Sequence, residues 1–282
     1  MTSTTGFVNP QILFRVFKYA IYILLAYDAL LFFQQDLAAS AQTFGETITW
    51  RNVIEAYSAT IDTVAWVVLL LVFELETAVI PDHLLKGRLK WLLKGLAGVC
   101  YFFIIYSFYG YVYKYGVLTN LVPFAIDDVC SLIGTNFTFV LTLDEYMPID
   151  QAVCTAMNGL PVMQIVGTDI IAVEPALGDA IALAIVDVVN AADWLIVVAL
   201  LEIEVFLQLK DKLSDKMMYW LKYIKGVVYL VLLLCAIYWG VKGSFLDFWD
   251  AFLWLVAFVF IELNIFQWHS ETEDEREHVL KV

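Results

Sequence analysis

The chain has 282 residues, of which 62% are apolar and 16% are charged, and its formal net charge is −14. Soluble globular domains are about 45–50% apolar and about 25% charged. The composition therefore argues against a soluble enzyme and against a disordered chain, and the acidity disfavours a nucleic acid partner. We predict an α-helical protein that crosses the membrane several times.

A membrane-spanning helix needs roughly 20 mostly apolar residues. Six segments of the chain meet this requirement, and the first is too long for the apolar core of a signal peptide. The predicted fold is an all-α membrane protein with six transmembrane helices. These segments cover residues 13–34, 56–80, 94–116, 181–209, 222–242 and 246–268.

Lys and Arg residues indicate the orientation, because cytoplasmic loops carry an excess of them. Thirteen of the sixteen fall on the side of the predicted bundle that also holds both termini. We therefore predict a multi-pass inner (plasma) membrane protein with cytoplasmic termini. The predicted divisions are the first three helices at 1–116, an external segment at 117–179, the last three helices at 180–268 and an acidic cytoplasmic tail at 269–282.

The external segment, residues 117–179, contains eight acidic residues and no Lys or Arg. It also contains Cys130 and Cys154, and two cysteines in one external loop usually pair as a disulfide. Alternating apolar residues predict short strands near residues 137–143 and 163–173. We expect a small mixed cap over the membrane domain, between the third and fourth helices.

The second, fourth and sixth spans share the pattern Asp/Asn-x3-Trp-x7-Glu-x-Glu/Asn. Four matching positions in three apolar helices indicate an internal repeat of three two-helix hairpins, which suggests pseudo-threefold packing. The matching residues are Asp62, Trp66, Glu74 and Glu76, then Asn190, Trp194, Glu202 and Glu204, then Asp250, Trp254, Glu262 and Asn264.

The first glutamate of each repeat, Glu74, Glu202 or Glu262, is predicted to lie roughly 10 Å inside the cytoplasmic boundary of the membrane. A charged side chain at the membrane centre costs at least about 2.5–3.5 kcal/mol, so such residues face the bundle interior or water. If the hairpins surround one axis, the three glutamates converge on it. Glu76 and Glu204 would point elsewhere and supply a second layer of charge.

These carboxylates have three chemical interpretations. They bind a hard cation such as Ca²⁺, Mg²⁺ or Mn²⁺, they share protons, or they pair with basic side chains. Lys18, Lys94 and Lys225 lie near the same ends of the odd-numbered spans, one in each hairpin, and are the candidates for ion pairs. Five glutamates against three lysines leave about two negative charges that these lysines do not compensate.

The tryptophans of the repeat follow a polar residue by one helical turn. For Trp66, Trp194 and Trp254 the favoured interpretation is interface anchoring or helix packing, and the alternative is a cation–π gate. We expect the polar residues that precede them to form the outer mouth of a pathway. These residues are Asp62, Asn190 and Asp250.

The leading functional hypothesis is a cation channel or transporter, with the glutamate layer as its site. The sequence lacks the His and Cys spacing of haem, copper or zinc centres and lacks a phosphate-binding loop, so we do not expect an enzyme. No cofactor is assigned, although a divalent cation is a candidate ligand. The alternative is a non-transporting accessory or scaffolding subunit of a larger membrane complex. Besides the lipid bilayer, a second copy of the chain or other subunits are the candidate partners.

Overall fold

The computed structural model describes residues 10–43, 48–49, 52–81, 83–209 and 214–260. Within these ranges the fold is a bundle of long helices with a small β-sheet between the fourth and sixth helices. The helices are α1 Pro10–Thr43, α2 Val53–Ala56, α3 Ser58–Glu74 with a π-helical turn Leu75–Val79, α4 Gly87–Thr119, α5 Gln151–Met157, α6 Glu174–Leu209, α7 Asp215–Lys242 and α8 at residues 245–260.

Within the described ranges, five helical segments are long and apolar enough to cross a membrane, so the chain is a membrane protein with transmembrane helices. They are Ile12–Thr43, Ser58–Val79, Gly87–Thr119, Glu174–Glu204 and Lys216–Lys242. The sixth predicted span, 246–268, coincides with α8 up to residue 260, and its remainder lies outside the described residues. The first helix extends nine residues beyond the predicted end of its span at residue 34.

The outward surface of the bundle fits a lipid environment. Ile23 is 70% exposed, Phe102 is 61% exposed and Leu234 is 55% exposed. Leaving such side chains in water forfeits about 25 cal/mol per Å² of apolar surface. Lipid tails are as apolar as the side chains themselves, so this exposure costs little within a bilayer.

Local capping separates the last two helices. Helix α7 ends at Lys242, and Gly243 follows it. The Ser244 hydroxyl then accepts a hydrogen bond from the Asp247 backbone N–H at 3.1 Å, as an N-cap residue does at the start of a helix. This turn sets the direction of α8 and places Asp247 in its first turn.

The sheet has the strand order β1-β4-β5-β2-β3. Strands β2 and β5 are parallel and the other neighbouring pairs are antiparallel. Gly167 has a φ of 83° in the turn between β4 and β5, a conformation that glycine adopts most readily. The strands are β1 Leu121–Pro123, β2 Thr138–Val140, β3 Tyr146–Pro148, β4 Val162–Ile165 and β5 Ile170–Val173.

Both sequence-predicted strand segments contain strands, β2 in the first and β4 with β5 in the second. The predicted disulfide is confirmed: Cys130 and Cys154 are bonded and join the 3₁₀ turn Val129–Leu132 to α5. The predicted boundaries of this segment, 117–179, differ from the observed ones because α4 continues to Thr119 and α6 begins at Glu174.

Among the described residues there are three buried apolar clusters, of which one lies within the sheet segment around Cys154 and Ile171 and two involve the long helices. Of these two, one lies among the helices and contains Leu25, Leu70 and Leu253. The other joins the sheet to the helix ends and contains Ile165 and Trp239. We call the end of the bundle that carries the sheet the sheet end, and the opposite end, where α1 begins, the far end.

Candidate functional site

Three tryptophans from three different helices meet inside the bundle. The ring centroids of Trp66 and Trp194 are 5.9 Å apart, those of Trp66 and Trp254 are 6.1 Å apart, and those of Trp194 and Trp254 are 6.4 Å apart. All three side chains are buried. These distances are typical of edge-to-face and tilted aromatic contacts. We call this group the tryptophan layer.

The tryptophan layer lines a cavity of about 70 Å³. A buried water needs roughly 10–15 Å³ of such volume, so the cavity has room for several waters or a small solute. The polar lining is mostly carboxylate. We call the site the aspartate cavity, and its aspartates are Asp36, Asp62, Asp144, Asp187, Asp247 and Asp250.

The aspartates come from five parts of the chain, four helices and one loop. Helix α1 supplies Asp36, helix α3 supplies Asp62 and helix α6 supplies Asp187. Helix α8 supplies two, and the loop between β2 and β3 supplies Asp144. Asn190 and Lys114 also line the cavity. Because separate elements converge here, the charge density of the site depends on the tertiary fold.

Several of these carboxylates accept hydrogen bonds from neighbouring helices. The Thr60 hydroxyl donates to Asp36 at 2.6 Å, and the Thr60 backbone N–H donates to the same oxygen at 2.9 Å. The Tyr111 hydroxyl donates to Asp62 at 3.3 Å. These contacts fix the position of the two carboxylates without neutralising their charge.

Two further donors complete this set. The Trp239 indole N–H donates to Asp187 at 3.2 Å, and the Ser244 hydroxyl donates to Asp247 at 2.8 Å. All of these donors are neutral groups. These hydrogen bonds therefore orient the carboxyl groups, and none of these four donor residues carries a positive charge that would compensate a carboxylate.

Other polar atoms of the cavity have no partner. Asn190 Oδ1 and Asp250 Oδ1 are both buried, and neither atom has a hydrogen-bond partner among the described residues. A buried acceptor without a partner costs about 1–3 kcal/mol. The Asp250 and Asn190 oxygens are thus available to a bound proton, water or cation.

One basic side chain, Lys114 of α4, is among the residues that line the cavity. Its ammonium forms an ion pair with Asp144. Six aspartates against one lysine leave five carboxylates that Lys114 does not compensate. Tyr146 lies close to this pair, and burial raises the pKa of its hydroxyl to about 12 while the charge of Lys114 opposes that rise. The hydroxyl of Tyr146 is therefore neutral at physiological pH.

At the far end, Glu74 has a complete set of partners. Lys18 Nζ donates to Glu74 Oε1 at 2.6 Å, and both side chains are at most 6% exposed. The Tyr19 hydroxyl donates to the same oxygen at 3.1 Å, and the Tyr22 hydroxyl donates to Oε2 at 3.3 Å. We call these four residues the lysine–glutamate cluster.

The other predicted glutamates lie in different surroundings. Glu202 is exposed and accepts a hydrogen bond from the Tyr101 hydroxyl at 3.0 Å. Glu204 is half-buried and pairs with Lys225 at 2.9 Å. Glu76 is half-buried. Glu74 and Glu202, although equivalent in the repeat pattern, differ in burial and in charge compensation.

The remaining site residues predicted from the sequence are Lys94, Glu262 and Asn264. Glu262 and Asn264 lie outside the described residues. Lys94 is exposed, and the ion pairs found within the described ranges do not include it. By contrast, Lys18 and Lys225 both pair with glutamates of a neighbouring helix.

Sequence reasoning missed part of the site. The predicted outer-mouth residues all line the aspartate cavity, but Asp36, Lys114 and Asp144 were not among the candidates. For Lys114 a signal existed, because it is one of three basic residues on its side of the predicted bundle. Asp144 carries no local signal, since a loop that is distant in sequence brings it to the cavity.

In the described part of the chain, no group of three or more His, Cys, Asp or Glu side chains is arranged to hold a metal ion. The carboxylates of the cavity are therefore spread over its walls. No known protein family, curated protein or solved structure matches the chain.

Proposed function

We propose that the chain is a cation channel or transporter and that the aspartate cavity is its cation-binding site. The observation that carries this proposal is the charge of the cavity: six aspartates and one lysine surround one space inside a membrane bundle. Ionisable residues within membrane helices are expensive and generally mark ion or substrate pathways. A cation or a proton that enters the cavity compensates this cost.

The arrangement of the aspartates suits cations that exchange. Coulomb attraction at about 4 Å is roughly 1 kcal/mol in water and about 4 kcal/mol at an effective dielectric constant of 20. Five uncompensated carboxylates therefore attract a cation strongly, while their spread over the walls avoids a rigid cage. Transport needs this balance, because an ion must bind well enough to enter and loosely enough to leave.

The proposed architecture is six spans in three hairpins around the cavity, with the sheet outside the cell and both termini in the cytoplasm. The mutual contact of Trp66, Trp194 and Trp254, which occupy equivalent repeat positions, supports the threefold arrangement. The concentration of Lys and Arg at the far end supports the orientation. The acidic residues of the sheet segment would raise the local cation concentration above the cavity.

The tryptophan layer would be the barrier of this pathway. It separates the aspartate cavity from the lysine–glutamate cluster, and its rings contact one another. In a channel or transporter this layer would open or be bypassed during each passage. The glutamates Glu74, Glu202 and Glu262 would then belong to the cytoplasmic half of the route.

Ion flux into proteoliposomes tests the proposal. We would compare H⁺, Na⁺, K⁺, Mg²⁺, Ca²⁺ and Mn²⁺ for the wild type and for the double variant Asp62→Asn, Asp250→Asn. The matched control is Asp169→Asn, which removes an exposed aspartate of the sheet segment. We expect flux of at least one ion that the double variant loses and the control keeps. Equal flux in all three proteins, or none in folded wild type, would refute the proposal.

The second candidate is a non-transporting accessory subunit of a larger membrane complex. The ion pairs Lys18–Glu74 and Lys225–Glu204 favour it, because they give two of the intramembrane glutamates a structural role. This function requires a stable partner. Mild detergent extraction followed by size-exclusion chromatography and mass spectrometry would identify one. A chain that extracts alone and conducts ions would exclude this candidate.

A further inference from the structure

Among the described residues, two buried carboxylates, Asp28 and Asp193, belong neither to the aspartate cavity nor to an ion pair. Asp28 of α1 is 1% exposed, and its Oδ2 atom has no hydrogen-bond partner among the described residues. A permanently charged aspartate in this position would pay the full cost of desolvation. The side chain therefore needs a proton, at least part of the time.

Contacts between α1 and α3 fix the depth of Asp28. Near the far end Lys18 pairs with Glu74, and near the sheet end Asp36 accepts the hydrogen bonds of Thr60. The two helices are antiparallel, so interpolation between these contacts places Asp28 opposite Trp66. Asp28 thus lies at the level of the tryptophan layer, which separates the two polar regions of the bundle.

Polar groups lie on both sides of Asp28. Towards the sheet end, Asp250 of α8 lines the aspartate cavity and lies one helical turn before Trp254, whose ring centroid is 6.1 Å from that of Trp66. Towards the far end, the buried Tyr22 lies six residues away on α1, which is about 9 Å along the helix. Its hydroxyl already donates to Glu74. Asp28 therefore lies between the aspartate cavity and the lysine–glutamate cluster.

We propose that Asp28 is a proton relay that carries protons past the tryptophan layer. The proposal rests on the cation-transport function above and names the proton as an ion that crosses. In the first step a protonated Asp250 gives its proton to the Asp28 carboxylate, so that Asp250 becomes charged and Asp28 neutral. In the second step Asp28 releases the proton to water on the far-end side of the tryptophan layer, which carries it away as hydronium and leaves Asp28 as a carboxylate again. No group is oxidised or reduced.

The route follows α1 because the centre of the bundle is filled. The three tryptophans contact one another there, whereas α1 supplies a carboxyl group at the same level; a proton on this route passes the buried Leu25 and Phe32 on either side of Asp28 through transient water. A proton needs only a carboxyl group and transient water, whereas a metal cation needs several ligands at once. A single carboxylate at this level therefore selects for protons.

Proton flux into vesicles loaded with a pH-sensitive dye tests the relay. The variants are Asp28→Asn, which cannot carry a proton, Asp28→Glu, which can, and the control Asp193→Asn. Asp193 is a fair control because it is also buried, at 7% exposure, with an unpartnered Oδ2. We expect Asp28→Asn to fall to the leak of protein-free vesicles, Asp28→Glu to retain flux and Asp193→Asn to match the wild type. Wild-type flux in Asp28→Asn would overturn the relay.

A spectroscopic measurement covers the case in which Asp28→Asn fails to fold. Infrared difference spectra between acid and neutral pH report the C=O stretch of any carboxyl group that takes up a proton. The relay predicts one such band that shifts in Asp28→Glu and stays in place in Asp193→Asn. A spectrum that Asp28→Glu leaves unchanged would overturn the relay without any activity measurement.

Cation binding separates the relay from the function on which it rests. Binding to the detergent-solubilised protein is read from the fluorescence of the tryptophan layer during titration with the cations named above. Loss of proton flux in Asp28→Asn with unchanged cation binding supports the relay. Proton flux that survives in Asp28→Asn overturns the relay alone, and absence of cation binding in the wild type overturns only the proposed role of the cavity.

Discussion

The bundle has two polar regions, the aspartate cavity and the lysine–glutamate cluster. They differ in how many of their buried acids have a basic partner. In the lysine–glutamate cluster a single carboxylate has one ammonium and two hydroxyl donors. In the aspartate cavity six carboxylates share one ammonium and otherwise accept hydrogen bonds from neutral groups. The first region has its charge balanced, and the second leaves charge for a ligand.

The difference shows why burial of an acid is not by itself a sign of function. Removing one partner of a buried ion pair leaves the other charge uncompensated, so a paired acid has a structural role. An acid without a basic partner is stabilised instead by neutral hydrogen-bond donors, by a proton or by a bound cation. The residues expected to matter for transport are therefore the unpaired aspartates and not the most deeply buried glutamate.

The largest effect on stability is expected from breaking the far-end pair. Lys18→Met should destabilise the protein by about 3–5 kcal/mol, because it leaves the Glu74 carboxylate buried without a cation. Equilibrium unfolding in mixed micelles with increasing sodium dodecyl sulfate measures this change. The double variant Lys18→Met, Glu74→Gln should recover most of the loss. A single variant as stable as the wild type would contradict the structural role of the pair.

A change of packing without a change of charge should have a smaller effect. A Cβ atom on Gly110 of α4 would lie 2.8 Å from Ser58 Cβ of α3, so Gly110→Ala forces the two helices apart. Overpacking of this kind costs about 1–3 kcal/mol. The same helices carry Tyr111 and Asp62, whose hydrogen bond should weaken as well.

Gly98 of α4 provides the control for this change. Nothing lies within 4 Å of a Cβ built at Gly98. Gly98→Ala should therefore leave stability unchanged or raise it by up to about 1 kcal/mol, since alanine favours the helix. If both alanine variants had the same unfolding midpoint, the close contact of α3 and α4 at Gly110 would not contribute to the stability of the bundle.

Neutralising a cavity aspartate should cost still less. Asp250→Asn removes an uncompensated charge and keeps the size of the side chain, so we expect a change within about 1 kcal/mol, in either direction. The wild type should gain stability when the transported cation is added, because a ligand that binds only the folded state stabilises it. The variant should lose this gain. A loss above about 3 kcal/mol, comparable to that of Lys18→Met, would remove the contrast between the two regions.

The sequence predicted the helical membrane fold and part of the site for identifiable reasons. Apolar length alone locates a span, and the spacing from Asp62 to Trp66 repeats because each pair occupies one turn of a helix. Trp66 and Trp254 each line the same cavity as the aspartate one turn before them. A regular local spacing of this kind is visible without a structure.

What the sequence could not predict depends on contacts between distant residues. Glu74 and Glu202 are equivalent in the repeat, yet of the two, within the described part of the chain, only Glu74 forms an ion pair with a lysine of the facing helix. Asp36 and Asp144 join the cavity through the position of α1 and of a loop in the sheet segment. Helix registry and loop position decide these contacts, and neither follows from hydrophobic periodicity.

The smallest effect is expected at an ion pair of the sheet end that lies outside the cavity. Lys242 Nζ and Asp179 Oδ1 are 3.1 Å apart, and both side chains are about half exposed. Exposed pairs contribute about 0–1 kcal/mol and are screened by salt. Lys242→Gln should therefore change stability by less than about 1 kcal/mol, measured by the same unfolding assay at low and high salt, and should leave ion flux intact. A loss of flux would mean that charge at the rim controls entry, and the functional distinction between the two regions would then depend on exposed as well as buried acids.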